Sequence, residues 1–295
     1  MAIITVKDVS KSYGKVQALK NVDLEVNEGN IYGFIGPNGA GKTTLIRILL
    51  GILKPDDGSS AIFGHDAWME SVKIHDRVAY VPGDVKLWPN LTGGEIIDVL
   101  LSMRAEGNSD NIRKSEYIDK FDLDPSKKCR SYSKGNKQKI ALIAALASDA
   151  DLFIMDEPTS GLDPLMEKVF QEAVFELNEK GKTVFLSSHI LSEIEKLCDH
   201  VSIIRDGEII ESGKLEDLRH LTRTSVQIKS KDKIDDLDEL EGVHDYEYKN
   251  CIHSFQIETK VMDKLIKFIS DYNIIKFESN PPTLEELFMR HYQGV

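Results

Sequence analysis

The stretch Gly36-Pro37-Asn38-Gly39-Ala40-Gly41-Lys42-Thr43-Thr44 fits the phosphate-loop pattern G-x-x-x-x-G-K-[ST]. The apolar run at 30–35 predicts a buried strand before it, and the run at 44–50 predicts a helix after it. Glycines let backbone N–H groups turn inward towards phosphate oxygens, and the start of a helix adds the positive end of its dipole. A glycine-rich turn that only caps a helix is the alternative, but the lysine, the threonine and both flanking runs favour phosphate. The stretch therefore predicts a site for a nucleoside triphosphate, with Lys42 on the β- and γ-phosphates and the Thr43 hydroxyl on Mg²⁺.

The composition is that of an ordinary globular protein. The chain has 295 residues, of which 41% are hydrophobic and 29% charged, and its formal net charge is -12. This length suits one large domain plus a small one. An acidic chain lacks the broad basic surface that typifies DNA and RNA binders, so we expect no nucleic acid partner.

The cysteines and the apolar runs bear on the compartment. Cys129, Cys198 and Cys251 form no C-x-x-C pair, which argues against a structural zinc or disulfide framework and is typical of a reducing cytosol. The N-terminus shows no basic segment followed by a long apolar one, so we predict no signal peptide. No apolar run approaches the roughly 20 residues that a membrane-spanning helix needs. If the protein works at a membrane, we expect another chain to supply the span.

Two half-exposed strands are predicted ahead of the phosphate loop. Residues 3–9 and 19–26 alternate apolar and polar side chains around a turn at 11–15 that contains Tyr13. An aromatic residue in such a turn either covers the local core or stacks on an adenine ring. The spacing leaves both roles open.

Two acidic residues end a predicted buried strand. Residues 152–155 are apolar and Asp156 and Glu157 follow, which predicts a parallel strand with a carboxylate at its carboxyl end. Ligands of open α/β sheets bind at that edge, so Asp156 is placed to hold Mg²⁺ and Glu157 to polarise the water that attacks the γ-phosphate. A helix N-cap is the usual alternative for such a pair, and the phosphate loop favours catalysis. His189 follows the next predicted strand, at 183–187, and is either a surface or helix-cap residue or a hydrogen-bond donor to the γ-phosphate.

The rest of the chain predicts two further helix-containing regions. Residues 84–150 are predicted to be a helical insertion, in which Thr92 and Glu95 form a capping-box pattern. The C-terminal region follows the order β-α-β-β-α-β plus a helix, which predicts a ferredoxin-like split βαβ domain without a catalytic set. Its predicted elements are strands at 225–230, 244–249, 251–258 and 274–277, helices at 232–240 and 261–272, and a last helix at 284–292 opened by a capping-box pattern at 283–286.

A family resemblance rests on motifs beyond the phosphate loop. Tyr132-Ser133-Lys134-Gly135-Asn136 precedes a predicted helix and stands where ATP-binding cassette (ABC) ATPases carry their Leu-Ser-Gly-Gly-Gln signature. Ser160-Gly161-Leu162-Asp163 matches the loop that communicates across the dimer in that family. Residues 1–220 therefore resemble an ABC ATPase. The resemblance implies that Ser133 and Gly135 face the γ-phosphate held by the phosphate loop of a second subunit.

The resemblance also assigns roles and shows two departures. It implies that Glu157 is the catalytic base, His189 the switch histidine and Tyr13 the adenine-stacking aromatic residue. The signature departs from the family pattern at Tyr132, Lys134 and Asn136, while Ser133 and Gly135 are kept. The family usually has a Gln at the position of Gly83, where its side chain contacts Mg²⁺ and the attacking water. Asp84 or a water molecule would have to take that place.

These patterns together predict an α/β protein. It would contain a P-loop NTPase core of the ABC ATPase type at 1–222, with an antiparallel β subdomain and a helical subdomain at about 84–150. A small C-terminal α+β domain of the ferredoxin-like class would follow at 223–295.

The resemblance implies an ATP-hydrolysing subunit with Glu157, His189 and Lys42 as catalytic residues. Its cofactors would be ATP and Mg²⁺, with Thr43 and Asp156 as metal ligands. Two such subunits would form a head-to-tail dimer and drive a separate transmembrane permease, so the chain would be cytoplasmic and peripheral on the inner face of the cell membrane. The lysine-containing signature and the stretch at 281–288 resemble those of bacterial drug and antibiotic exporters of the ABC-2 type.

Three alternatives stay open at this stage. The loop at 85–91, in which Trp88 is followed by a proline and an asparagine that expose it, is either a groove for a permease helix or part of the core of the insertion. A soluble ABC protein acting on ribosomes or DNA is the second reading of the function, although one cassette, no heptad insertion and an acidic chain disfavour it. A P-loop kinase would require an acceptor-substrate pocket and gives no reason for Ser133, Gly135 or His189.

Overall fold

The computed structural model of the protein describes residues 1–103, 110–220, 223–231 and 233–280. The chain divides into two compact units, Met1–Gly213 and Lys214–Val295. The sequence pattern starts the second domain slightly later, at residue 223. The capping-box pattern at 283–286 and the helix predicted at 284–292 lie outside the described residues.

The first unit alternates strands and helices. Its strands are β1 (Ala2–Tyr13), β2 (Val16–Asn27), β3 (Ile31–Ile35), β4 (Asp57–Ile62), β5 (His65–Asp66), β6 (Val78–Val81), β7 (Leu152–Asp156), β8 (Thr183–Ser188), β9 (His200–Arg205) and β10 (Glu208–Lys214), which ends at the boundary. Its helices are α1 (Lys42–Leu49), α2 (Ser71–His75), α3 (Gly93–Ser102), α4 (Asp110–Lys120), α5 (Lys134–Ala147), α6 (Pro164–Glu179) and α7 (Leu191–Leu197).

The larger sheet positions the candidate site. Its order is β10-β9-β3-β8-β7-β6, and the pairs from β9 to β6 are parallel. Every residue of β3, β7 and β8 is buried, which explains why these strands are continuous apolar runs in the sequence. Parallel pairing brings the carboxyl ends of the three strands to one edge, where ligands of α/β sheets bind. The buried parallel strand predicted to end at Asp156 is confirmed.

The smaller sheet is antiparallel, in the order β2-β1-β4-β5. The β1–β2 hairpin turns at Gly14, which has a φ of 61°, and the turn is tighter than predicted because the strands extend to Tyr13 and from Val16. Leu24 of this sheet shares one hydrophobic core with Phe34 of β3 and Leu45 of α1. Helix α1, which follows the phosphate loop, therefore packs against both sheets.

The predicted helical insertion is confirmed as α3, α4 and α5. The Thr92 hydroxyl accepts a hydrogen bond from the Glu95 N–H (3.2 Å), and the Glu95 carboxylate accepts one from the Thr92 N–H (2.7 Å). This reciprocal pair is the capping box that the sequence predicts. Residues 138–147 of α5 are all buried, so this helix is the centre of the insertion. Across the described residues, no helix combines the length and apolarity that crossing a membrane requires.

The second unit has a four-stranded antiparallel sheet. Its elements are α8 (Leu215–His220), β11 (Arg223–Ser230), β12 (Val243–Lys249), β13 (Ile252–Glu258), α9 (Met262–Ile269) and β14 (Ile274–Asn280). The order β12-β13-β11-β14 places the first and third strands of the domain side by side, as the split βαβ prediction requires.

One predicted helix of this unit, at 232–240, is wrong. Among its described residues, only Leu237–Glu239 form a single 3₁₀ turn. Asp236 has a left-handed backbone with a φ of 55°, a conformation that ends a helix and that aspartate tolerates because its short side chain bonds the local backbone. Leu237 and Ile234 are nevertheless buried in the core of the domain, so the apolar spacing indicates burial but not a helix.

Candidate phosphate-binding and catalytic site

The phosphate loop joins β3 to α1 and depends on two glycines with positive φ. Gly39 has a φ of 85° and Gly41 a φ of 114°, values that residues with a Cβ rarely adopt. A Cβ on Gly41 would lie 2.5 Å from the carbonyl oxygen of Ala18, so only glycine fits there. Within the described residues, no side chain caps the first turn of α1, which begins directly at the end of the loop. This arrangement fits a phosphate group.

Lys42 lies at the mouth of the loop and is 6% exposed. Its ammonium donates to the carbonyl oxygens of Gly36 (2.6 Å) and Pro37 (3.3 Å), and it lies 3.1 Å from Glu157 Oε1. The positive charge is therefore held between the loop backbone and the carboxylate that is the candidate base. A cavity beside the loop is lined by loop residues including Asn38 and Thr44, and by Ala18 and Glu157.

Thr43 and Asp156 are in direct contact. The Thr43 hydroxyl donates to Asp156 Oδ2 (2.8 Å), and the Ser187 hydroxyl donates to Asp156 Oδ1 (2.5 Å). Asp156 is 3% exposed and Ser187 is fully buried. A hydroxyl and a carboxylate at the phosphate loop are the oxygen donors that Mg²⁺ takes in nucleotide sites, where phosphate oxygens and water complete its octahedron. The two residues therefore fit this metal.

Glu157 is held in an unusual backbone conformation. Its φ is 49°, and its N–H donates to the backbone oxygen of Ser187 (3.0 Å). Its Oε2 lies 2.5 Å from His189 Nδ1, so the carboxylate is placed between Lys42 and His189. Oε1 is buried, and among the described residues it accepts no hydrogen bond of good geometry despite its 3.1 Å approach to Lys42. Strained backbone and an underused carboxylate oxygen at a cavity are typical of a reactive group.

The structure does not bring the signature residues to this cavity. Ser133 is the N-cap of α5 and accepts from the Asn136 N–H (3.3 Å). Gly135 packs closely on the loop after β7. A Cβ at this position would lie only 2.3 Å from the Gly161 carbonyl oxygen. Lys134 also reaches this loop and donates to Ser160 Oγ (2.9 Å). Neither Ser133 nor Gly135 is among the residues that line the cavity at the phosphate loop.

Tyr13 also lies apart from that lining. It ends β1 and is 47% exposed, while Ala18, from the start of β2, takes the place beside the loop. An adenine-stacking role for Tyr13 stays a prediction.

Gly83 opens onto a second cavity that Asp84, Asp156, Glu157 and His189 also line. A Cβ on Gly83 would lie 3.1 Å from the Asp156 carbonyl oxygen, so a larger residue would start directly against the end of β7. The Asp84 side chain is 80% exposed and lies 3.4 Å from the Lys86 ammonium.

Three further residues at the site, Ser187, Ala18 and Tyr80, were not predicted from the sequence. Ser187 is a polar residue at the end of a buried strand, a signal that was present in the sequence. Ala18 and Tyr80 carry no such signal. Burial, and then the negative charge of Asp156, raise the pKa of Tyr80 to about 12, so its phenol stays protonated beside the candidate metal site.

Comparisons with known proteins identify the family. A family model described as ABC transporter matches residues 19–160, and one described as ATP-binding protein DrrA1-3-like, C-terminal domain, matches residues 213–292. The bacitracin transport ATP-binding protein BcrA of Bacillus licheniformis is 33% identical over 305 residues, which cover 99% of this chain and 98% of that protein. The linearmycin resistance ATP-binding protein LnrL of Bacillus subtilis is 30% identical and covers 97% of both chains.

Solved structures agree with these relatives. The ATP binding subunit of an ABC transporter has a TM-score of 0.70 at 31% identity, covering 74% of this chain and 92% of its own. A dimeric post-hydrolysis state of the ATP-binding cassette MJ0796, bound to ADP and Pi, has a TM-score of 0.66 at 28% identity, covering 72% and 98%. The resemblance inferred from the ordered motifs is thus confirmed, and with the phosphate loop and the Asp156–Glu157 edge in place, this protein belongs to the ATP-binding, ATP-hydrolysing subunits of ABC transporters of the DrrA and BcrA type.

Proposed function

We propose that this subunit powers a separate membrane permease that exports an antibiotic or another small molecule. The observation that carries the proposal is the match, over nearly the full length of both chains, to the bacitracin transport and linearmycin resistance proteins. Through its permease, the subunit would lie on the cytoplasmic face of the membrane.

The partner can be tested by affinity purification of the tagged full-length chain from its own host after mild solubilisation. We expect a polytopic membrane protein to co-purify in about equal amount. Recovery of ribosomes or DNA in its place would favour the soluble alternative and overturn the proposal.

The proposed chemistry places each side chain in one role. The Lys42 ammonium would exchange its bonds to loop carbonyl oxygens for the β- and γ-phosphates of ATP, and the first turn of α1 would stabilise the same charge. Thr43 and Asp156 would hold Mg²⁺, which neutralises charge on the phosphates as they react. Glu157 would orient and deprotonate the attacking water, and His189 would fix the Glu157 carboxylate through their 2.5 Å contact.

The proposed catalytic unit is a head-to-tail dimer of two such subunits. Ser133 and Gly135 stand at the amino end of α5, a place that suits an anion, but they do not line the cavity at their own phosphate loop. In the dimer they would face the ATP held by the other subunit. The MJ0796 cassette, which is dimeric, supports this arrangement.

The surface proposed for the permease is the groove around Trp88. It has a volume of about 450 Å³ and is lined mostly by apolar residues, among them Val85, Leu87, Trp88, Leu100 and Met103. Trp88 is 53% exposed and Met103 is 71% exposed, which favours docking over core packing. Tyr80, Pro82 and Lys86 line both this groove and the cavity at Asp156. A permease segment that displaced these residues would therefore also change the surroundings of the candidate metal site.

We expect Trp88→Ala to uncouple transport from hydrolysis. A tryptophan at the centre of an interface contributes about 2 kcal/mol or more, so affinity for the permease should fall by about 30-fold. Transport by the reconstituted complex would fall with it, while ATP turnover of the isolated subunit would stay unchanged. Trp68→Ala is the matched control, because Trp68 is 40% exposed but does not line the groove. Unchanged transport in Trp88→Ala would reject the groove as the docking surface.

A further inference from the structure

Glu193 is a buried carboxylate close to the candidate catalytic pair, Glu157 and His189. It lies in α7 and is 7% exposed. The Ser188 hydroxyl donates to Glu193 Oε2 (3.1 Å) and accepts from the Ile190 N–H (2.9 Å). The Thr159 side chain also lies near this carboxylate and lowers its pKa, and Thr159 is 6% exposed. One buried carboxylate thus lies between two separate loops.

These two loops carry the candidate base and its histidine. Ser188 directly precedes His189, and Thr159 follows Glu157 by two residues. The front of the arrangement is the 2.5 Å contact between Glu157 Oε2 and His189 Nδ1. Glu193 accepts a hydrogen bond from Ser188 and lies near Thr159, so a second set of neighbouring groups accompanies the contact between Glu157 and His189.

The connection extends to the signature helix. Ser160 follows Thr159 and accepts from Lys134, the first residue of α5. Gly161 approaches Gly135 so closely that a Cβ on Gly135 would not fit. A displacement at the start of α5 would therefore move Ser160 and Gly161, and with them the adjacent Thr159. Glu193 lies near Thr159.

A buried carboxylate in this position is costly for the fold. Burial raises the pKa of Glu193 and outweighs the opposite effects of the Thr159 side chain and of the Ser188 hydrogen bond, while the carboxylates of Glu167 and Glu157 raise it further. Across the described part of the chain, no lysine, arginine or histidine forms an ion pair with it. An unpaired buried acid destabilises a protein, so its presence beside the site calls for a function.

We propose that Glu193 is a positioning residue that couples the segment after Glu157 to the loop of His189. It would keep the base and the histidine aligned when the signature region closes on ATP. The proposal rests on the proposed catalytic roles of Glu157 and His189. Glu193 itself touches neither ATP nor the attacking water.

The test uses Glu193→Ala and Glu193→Gln in the purified full-length subunit. A misplacement of about 1 Å in a catalytic group can lower turnover by about 100-fold, and we expect kcat of Glu193→Ala to fall by about 10- to 100-fold, with KM for ATP unchanged. Gln keeps one carbonyl acceptor for a hydroxyl, so it should recover part of the loss. Glu195→Gln makes the same chemical change on the same helix and should keep wild-type turnover.

A double-mutant comparison separates positioning from general structural damage. If Glu193 acts through His189, Glu193→Gln should change kcat by less than about twofold in a His189→Ala background, because the two effects would not be additive. Wild-type kcat in Glu193→Ala, full additivity with His189→Ala, or a kcat loss accompanied by a lower melting temperature and weaker ATP binding would each overturn the proposal. A failure of the proposed function is distinguishable, because it would appear as wild-type turnover in Glu157→Gln.

Discussion

Glu157→Gln is expected to lower ATP turnover by about 10²- to 10⁴-fold, the contribution of a positioned general base. The amide keeps the shape of the side chain but accepts no proton from water. It also removes a negative charge 3.1 Å from the Lys42 ammonium, so the affinity for ATP should be unchanged or higher. Steady-state phosphate release and equilibrium binding of a fluorescent ATP analogue measure the two effects separately.

The control for this substitution is Glu172→Gln. Glu172 lies on α6 with its side chain 62% exposed, and the same loss of charge there should leave both quantities unchanged. Undiminished turnover in Glu157→Gln, with ATP binding intact, would remove Glu157 from the catalytic role. Loss of ATP binding would instead indicate that the carboxylate is needed to hold the phosphate loop.

Gly135→Ala is expected to lower catalysis by the dimer strongly while sparing ATP binding by each subunit. Alanine favours a helix over glycine by about 1 kcal/mol, so α5 itself should not suffer. The new Cβ would, however, lie 2.3 Å from the Gly161 carbonyl oxygen, and two backbone segments would have to separate. This shift moves Ser133 and the loop after Glu157 together, and turnover should fall by about 100-fold or more.

The direct measurement is dimer formation in a background that does not hydrolyse ATP. Glu157→Gln should accumulate an ATP-dependent dimer, detectable by its hydrodynamic radius, and Gly135→Ala in that background should remain monomeric. Gly94→Ala is the matched control, because Gly94 is the second residue of α3, as Gly135 is of α5, and its Cβ would meet Pro125 O at 3.3 Å. Normal dimers and turnover in Gly135→Ala would contradict the proposed two-subunit site.

The chemistry at the sheet edge was predictable because its rules are local. A glycine loop between an apolar strand and a helix specifies a phosphate site within a short segment, and the capping box of Thr92 and Glu95 needs only one helical turn. The carboxylate at the end of β7 follows from a buried apolar run and the edge rule of parallel sheets. The helix predicted at 232–240 is absent from the described residues because apolar spacing alone does not decide the backbone conformation. Asp236, within this segment, adopts the left-handed conformation that ends a helix.

The contacts that complete the site were beyond such rules. Ser187 supports Asp156 from the neighbouring strand, and Ala18 blocks any side chain at Gly41 through its carbonyl oxygen. The separation of Ser133 from the cavity at its own phosphate loop is likewise a property of how the insertion packs. No periodicity encodes these contacts, because each joins segments far apart in the sequence.

For this protein, then, the order of its motifs already specifies the α/β class, the nucleotide and the identity of the candidate base, since those depend on backbone conformations set by neighbouring residues. The fold alone decides how the groups meet. It places the Glu157 carboxylate between Lys42 and His189, packs Gly135 against Gly161, and buries Glu193 next to Ser188. These distances arise from the packing of non-adjacent segments into one core, and packing is a property of the whole chain.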